Sequence, residues 1–252
     1  MSSTESIEAA PSAPGRLSPI QRAGRIYARP ATAWGGLAER GQAWIPLLFV
    51  VIFEVLAAGV SYQHVFLPDA MHRIEQSAET NPNMTQEVLD KIEAFHQSPL
   101  GITINLSVIG LAITVVILAQ ALVLWFGTGF VLGARFKYGN ALTVVSWSAL
   151  VGVPGSIVRY TISWIRGTSL GLHLGLGALV PEPETPSKLI TGLTGFLDAI
   201  SPFAAWYLVV LTLGTAALSG APRRNVAWVL VMLYLALGVF FAAVNALFNP
   251  GA

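Results

Sequence analysis

The sequence predicts an all-α polytopic integral membrane protein, a bundle of five transmembrane helices with a short N-terminal interfacial helix. Three observations lead there. Hydrophobic residues make up 54% of the 252-residue chain and charged residues 11%, against about 45–50% and about 25% in ordinary globular proteins. A dispersed soluble surface needs about 25–35% charged residues, which this composition cannot supply. Mean hydropathy is +0.65, and the apolar residues gather into five stretches separated by polar ones. The net charge of +1 offers no basic field for a nucleic-acid partner. The absence of cysteine removes disulfides, thiolate nucleophiles and cysteine metal sites.

Residues 1–17 read as a disordered tail. Met1–Gly15 is polar and rich in small residues, too poor in apolar side chains to bury anything. It lacks the basic start and apolar core of a secretory signal. Residues 18–43 form a basic amphipathic segment. Ile20, Tyr27, Trp34 and Leu37 are spaced to share one helical side, and Arg22, Arg25, Arg29 and Arg40 crowd the same stretch. Cations interleaved with aromatic residues before an apolar span suit a helix lying in the membrane interface. The plainer explanation is a solvated basic tail that obeys topology rules alone.

The transmembrane domain is expected over 44–248, with spans Trp44–Phe66, Leu100–Phe126, Ala141–Ile165, Pro202–Leu218 and Val226–Phe248. Each is close to the ~20 residues that cross a ~30 Å hydrocarbon core. The fourth is short, and Leu197–Ser201 can extend it. The third holds Pro154 beside Gly152 and Gly155, which predicts a kink. Trp44, Trp125, Trp164, Trp206 and Trp228 suit aromatic belts at headgroup level. Between the first two spans, Leu67–Pro99 carries six acidic residues against two basic. Within it Thr85–His96 predicts a helix capped by Thr85, its face of Val88, Leu89, Ile92 and Phe95 packed back onto the bundle. Arg166–Ser201 is glycine-rich, split by Pro181-Glu182-Pro183, and Leu189–Ile200 reads as a short interfacial or re-entrant helix.

Orientation follows from Lys and Arg. Arg16, Arg22, Arg25, Arg29, Arg40, Arg135, Lys137, Arg223 and Arg224 lie on one side, nine in all, against Arg73, Lys91, Arg159, Arg166 and Lys188 on the other. The positive-inside bias places the N-terminus in the cytoplasm and the C-terminus outside.

Glu54 is the acidic residue inside a span. Ten residues after Trp44 at 1.5 Å each, it lies about 15 Å deep, and intramembrane carboxylates face a protein interior or a water cavity. It is read either as a proton or cation site or as a structural hydrogen-bonding group paired with Asn105, Gln120 or a hydroxyl. Arg159 is expected to be a poor partner, being near the opposite interface. His64, His72, His96 and His173 show no helical metal spacing and read as isolated surface groups. Gly171–Gly177 reads as a flexible loop and not a phosphate cradle, since no Lys-Ser/Thr follows it. Gly129-x-x-x-Gly133 suggests close helix packing, and Asn83-Met84-Thr85 is a glycosylation sequon. No serine–histidine–acid set and no acid pair has a catalytic setting, so no enzyme, no cofactor and no metal site is expected.

Several features together are familiar. Arg29-Pro30, Trp34 and Leu37 precede Ile45-Pro46-Leu47-Leu48. Phe136-Lys137-Tyr138-Gly139-Asn140-Ala141-Leu142 leads into Val144-Val145-Ser146-Trp147 and Pro154. Late in the chain come Leu197-Asp198, Trp206-Tyr207-Leu208-Val209-Val210-Leu211, Gly214 and a small basic loop. Over roughly Ala23 to Asn245 this resembles the bacterial branch of the Yip family, the Ypt/Rab-interacting five-span membrane proteins. The resemblance implies a non-enzymatic protein of the bacterial cytoplasmic membrane and carries over no catalytic residue. The expected function is a membrane-organising or partner-binding scaffold. Its lipid or partner contacts would be Arg22, Arg25, Arg29, Arg40, Arg135, Lys137, Arg223 and Arg224. The expected partners are the lipid bilayer and either another membrane protein or a second copy of the chain. The alternative is a transporter or channel component using Glu54.

Overall fold

The protein, seen in a computed structural model that describes residues 17–37, 42–81, 84–181 and 188–248, is built from helices with no strand among those residues. The N-terminal tail through Arg16, Arg40, Asn83 of the sequon and the Glu182-Pro183 pair lie outside the described residues.

Helix α1 (Pro19–Ala28) opens with a capping box. Ser18 Oγ accepts the Gln21 N–H at 3.2 Å and Gln21 Oε1 accepts the Ser18 N–H at 3.1 Å. The helix stops before Pro30, which begins a 3₁₀ turn (Pro30–Thr32). Ile20 stays exposed, while Ile26, Trp34 and Leu37 are buried in the helical bundle.

Helix α2 (Trp44–Ser61) passes through a single π turn (Tyr62–Phe66) into α3 (Leu67–Thr80). The helix that opens at Trp44 continues past Phe66 to Glu79, 36 residues in all, as a polar extension of the apolar stretch. Pro68 lacks the N–H that an unbroken α-helix would use there, and the wider turn absorbs the loss. Helix α4 (Gln86–Gln97) packs on α3 and on the next helix, half-burying Val88, Leu89 and Ile92 while Phe95 remains exposed. Thr85 stands at the N-cap position, but its hydroxyl makes no capping bond.

Helix α5 (Pro99–Leu132) has 34 residues, about 51 Å at 1.5 Å each, far more than a ~30 Å core requires. It ends at Gly133, whose φ of 62° is the left-handed C-terminal stop that glycine adopts without strain. Gly129 faces open space, so the expected close packing at Gly129-x-x-x-Gly133 is absent. The tight crossings lie elsewhere. A Cβ on Gly110 would come 3.1 Å from Val55 Cγ2, and one on Gly127 would come 2.7 Å from Leu233 Cδ1. Lipid is as apolar as leucine, so such backbone approach is what draws membrane helices together.

Helices α6 (Tyr138–Ala149) and α7 (Gly152–Arg166), where the third span was expected, meet at a 41° bend at Leu150–Val151. Pro154 cannot donate to Leu150 O four residues back. That carbonyl instead accepts the Val153 N–H at 3.1 Å and the Tyr27 hydroxyl from beyond α1's buried face. The kink expected near Pro154 is present, bridged by a residue 123 positions earlier. Helix α6 is the centre of the bundle: Ala141–Ser148 are buried on every side, against α2, α5 and the helix that follows the loop.

A 3₁₀ turn (Leu176–Leu179) and helix α8 (Lys188–Asp198) precede α9 (Pro202–Ser219) and α10 (Arg223–Phe248). Ser201 Oγ caps α9 by accepting the Ala204 N–H at 3.1 Å. Leu197–Ser201 therefore does not extend the fourth span, because the chain breaks there. Four helices are long and apolar enough to cross a membrane, and five spans result if the bent pair counts as one. Trp44, Trp125, Trp164, Trp206 and Trp228 are all exposed on the bundle exterior, whereas Trp34 and Trp147 are buried.

Candidate functional site

Glu54 lies on the buried face of α2 at 9% exposure. Ser156, Arg159 and Tyr160 are spaced i, i+3 and i+4 on α7 and so share one face. The Ser156 hydroxyl donates to Glu54 Oε1, and the Tyr160 hydroxyl donates to Oε2 at 3.0 Å. Arg159 Nη2 stands 3.7 Å from Oε2, its guanidinium also lying 5.4 Å from the centroid of the Tyr160 ring. Arg159 is thus a partner after all. Its long side chain reaches back from its own level along the helix. With 53% of that side chain exposed, the ion pair is screened and worth little beside the two hydroxyl bonds. With a hydrogen bond to each carboxylate oxygen and a guanidinium nearby, the group ties α2 to α7.

Asn105 and Gln120, expected as partners of Glu54, sit elsewhere. Asn105 Nδ2 donates to Gly101 O at 2.8 Å and approaches His96 Nδ1 at 3.2 Å, beside the Tyr62 hydroxyl, which donates to His96 O at 3.3 Å. Gln120 Oε1 accepts the Tyr207 hydroxyl at 2.9 Å, on the wall of a cavity of about 580 Å³ between α5, α8, α9 and α10.

Two further acids were not singled out from the sequence. Asp69, 2% exposed at the start of α3, accepts the Thr168 hydroxyl at 2.5 Å, the Ser169 N–H at 2.8 Å and the Ser169 hydroxyl at 2.6 Å. Gly167, at φ 70°, turns the chain out of α7 so that these donors face the carboxylate. Burial acts to raise the Asp69 pKa, but the Ser169 and Thr168 bonds and the charge of Arg73 outweigh it and hold the carboxyl below the ordinary range. Asp198 closes α8 and pairs with His173 Nδ1. A Cβ on Gly175 or Gly177 would collide with Asp198, so the glycine-rich loop wraps this acid, and His173 is not the isolated group expected. Among the described residues no three His, Asp or Glu gather as a metal site.

Most of the basic residues collect at one end of the bundle. The link from α5 to α6 carries Arg135 and Lys137, and the α9–α10 turn carries Arg223 and Arg224. The α1 region, packed on α6 and α9, brings Arg25 and Arg29, and all six are exposed. Arg22 differs: at 3% exposure it turns inward, donating to Ala33 O and to Gly35 O at 3.1–3.2 Å, with its guanidinium 5.6 Å from the Trp147 ring centroid. It is therefore no headgroup contact, since its donors organise the turn that seats Trp34. Burial first, and then the neighbouring Arg25 charge, pull its pKa below the usual value.

The fold and these side-chain clusters define a polytopic helical membrane protein in which polar groups join one helix to another. The model of the Yip1 domain matches residues 24–245, from within α1 to the last turns of α10, and the chain belongs to that family. No curated protein and no solved structure gives a match.

Proposed function

We propose that the protein is a non-enzymatic scaffold of the bacterial cytoplasmic membrane, acting by organising lipid or by holding a partner protein at its basic end. One observation carries this reading: Arg25, Arg29, Arg135, Lys137, Arg223 and Arg224 are each exposed, on three separate stretches of chain. Each such cation near an anionic leaflet contributes about 1 kcal/mol, and the positive-inside rule puts this end in the cytoplasm with the C-terminus outside. The working partners are anionic headgroups and either another membrane protein or a second copy of the chain. The test is in-cell crosslinking followed by purification of the full chain in a gentle detergent. A stoichiometric partner that disappears in a variant carrying Arg25→Glu, Arg29→Glu, Arg223→Glu and Arg224→Glu is the expected result. Recovery of lipid alone, unchanged by those substitutions, sinks the partner-holding role.

A second reading, transport through a site at Glu54, is favoured by the burial of that carboxylate beside a guanidinium. It requires Glu54→Gln to abolish a proton or cation flux in proteoliposomes while leaving the fold intact. The hydrogen bonds from Ser156 and Tyr160, one to each oxygen of Glu54, support a helix tie instead.

A further inference from the structure

We propose that the cavity between α5, α8, α9 and α10 holds one acyl chain of a bilayer phospholipid. The inference rests on the membrane-spanning fold and is independent of the scaffold reading.

Three of the four walls are helices long and apolar enough to cross a bilayer, so the medium beside the cavity is hydrocarbon. A molecule entering from that side must itself present an apolar chain. The size and shape fit one. The volume of about 580 Å³ falls within the roughly 300–1,000 Å³ of ligand sites. Its lining runs along α10 from Leu230 to Ala242, a length of about 18 Å at 1.5 Å per residue. A space that is long, and half of whose lining residues are leucine or valine, suits a chain better than a compact ring system.

The fourth wall explains why the space stays open. Helix α8 is too short to span a membrane, and it presents Gly195 and Ala199 to the cavity. It is held by the Tyr234 hydroxyl, which donates to Ala199 O at 2.6 Å, and by the close approach of Phe196 to Gly238, where a Cβ would lie 3.4 Å from the ring. With Gly195 and Ala199 at this wall no large side chain projects into the gap.

One polar feature inside the cavity specifies the ligand further. Gln120 spends its carbonyl oxygen on the Tyr207 hydroxyl, and its amide N–H pair has no partner among the described residues. Gln120 lines the cavity yet remains exposed, and beside hydrocarbon a donor without an acceptor is costly. An ester carbonyl at the head of an acyl chain is an acceptor without a donor, and it complements that amide.

The experiment is native mass spectrometry on the purified full chain, stripped of lipid and titrated with dioleoyl phosphatidylglycerol, with oleate as a separate arm. One saturable phospholipid per chain is expected. Leu208→Trp and Gly238→Trp, which fill the cavity, should weaken it at least about tenfold, and Gln120→Leu, which keeps the volume, by up to about tenfold. Leu208→Met should bind as the parent does. As a readout on the unaltered protein, a phospholipid bearing a diazirine on its acyl chain should crosslink to Leu233 or Leu237 and be displaced by unlabelled phospholipid. Saturable binding of oleate with none of phospholipid overturns the proposal. So does phospholipid binding that the filled variants leave unchanged, or crosslinking at those leucines that excess phospholipid does not compete away.

Discussion

Glu54 and Asp69 answer the same difficulty, an acid taken out of water, in two places with different consequences. Around Glu54 the donors are hydroxyls on one face of α7. Removing either leaves a buried acceptor short of a partner, so Ser156→Ala and Tyr160→Phe should each lower stability by about 1–3 kcal/mol. Thermal unfolding of the purified protein in detergent measures this, and a change below the error of the measurement in both would remove the tie. Around Asp69 the hydrogen bonds hold the folded pKa below the ordinary value, and the sign of the pH effect follows. The contribution is complete above the unfolded pKa of about 3.9 and is lost as pH falls through the lower, folded value. The stability gap between the parent protein and Asp69→Asn should therefore be constant near neutrality and shrink only below about pH 4. A gap that vanished between pH 8 and 5 would contradict this. Glu54 was legible because an acid in an apolar run stands out. Its true partners also left a trace, the i, i+3, i+4 spacing of Ser156, Arg159 and Tyr160, which hydropathy alone passes over. Asp69, Thr168 and Ser169 left none, since hydrogen bonds across about a hundred positions have no local signature.

Among elements, the N-terminal segment departs furthest from its sequence. Its arginines and aromatic residues read as a helix lying on lipid, yet Ile26, Trp34 and Leu37 are packed inside the bundle. The reason is a set of fitted contacts that composition cannot express. Trp34 occupies the space that a side chain on Gly214 would take, its Cη2 lying 2.6 Å from where a Cβ would be. Gly214→Ala should accordingly cost about 1–3 kcal/mol through overpacking and free the segment. Limited trypsin digestion should then cut after Arg22 and Arg25 faster than in the parent protein, and equal rates would show that the indole moves aside. Tyr27→Phe removes the hydroxyl that serves the carbonyl left by Pro154, and a loss of about 1–3 kcal/mol is expected. Equal thermal unfolding temperatures for this variant and the parent would show that Val153 alone suffices. The spans themselves were legible because each is an apolar run of sufficient length. Their ends were not. The first run loses its hydropathy at Phe66 while the helix carries on to Glu79, and the fourth cannot grow backward because Ser201 caps it.

At the scale of the whole molecule, the pieces fit round α6, whose residues Ala141–Ser148 are closed off by neighbours on all sides. Six exposed cations lie on the α1 region, the α5–α6 link and the α9–α10 turn, while α3 and α4 carry most of the described acids together with the exposed Arg73 and Lys91. Charge placement predicts which end faces the cytoplasm, and cysteine labelling of single positions in intact cells tests it. A reagent that cannot cross the membrane should modify Glu93→Cys on α4 and leave Arg224→Cys untouched, whereas the reverse pattern would invert the proposed topology. The seat of Trp34 has a consequence in time. The glycine that receives this ring is made 180 residues later, which at about 5–20 residues per second is roughly 10–40 s of synthesis. Throughout that interval the ring of Trp34 lacks its seat on α9, so it is placed long after it is made.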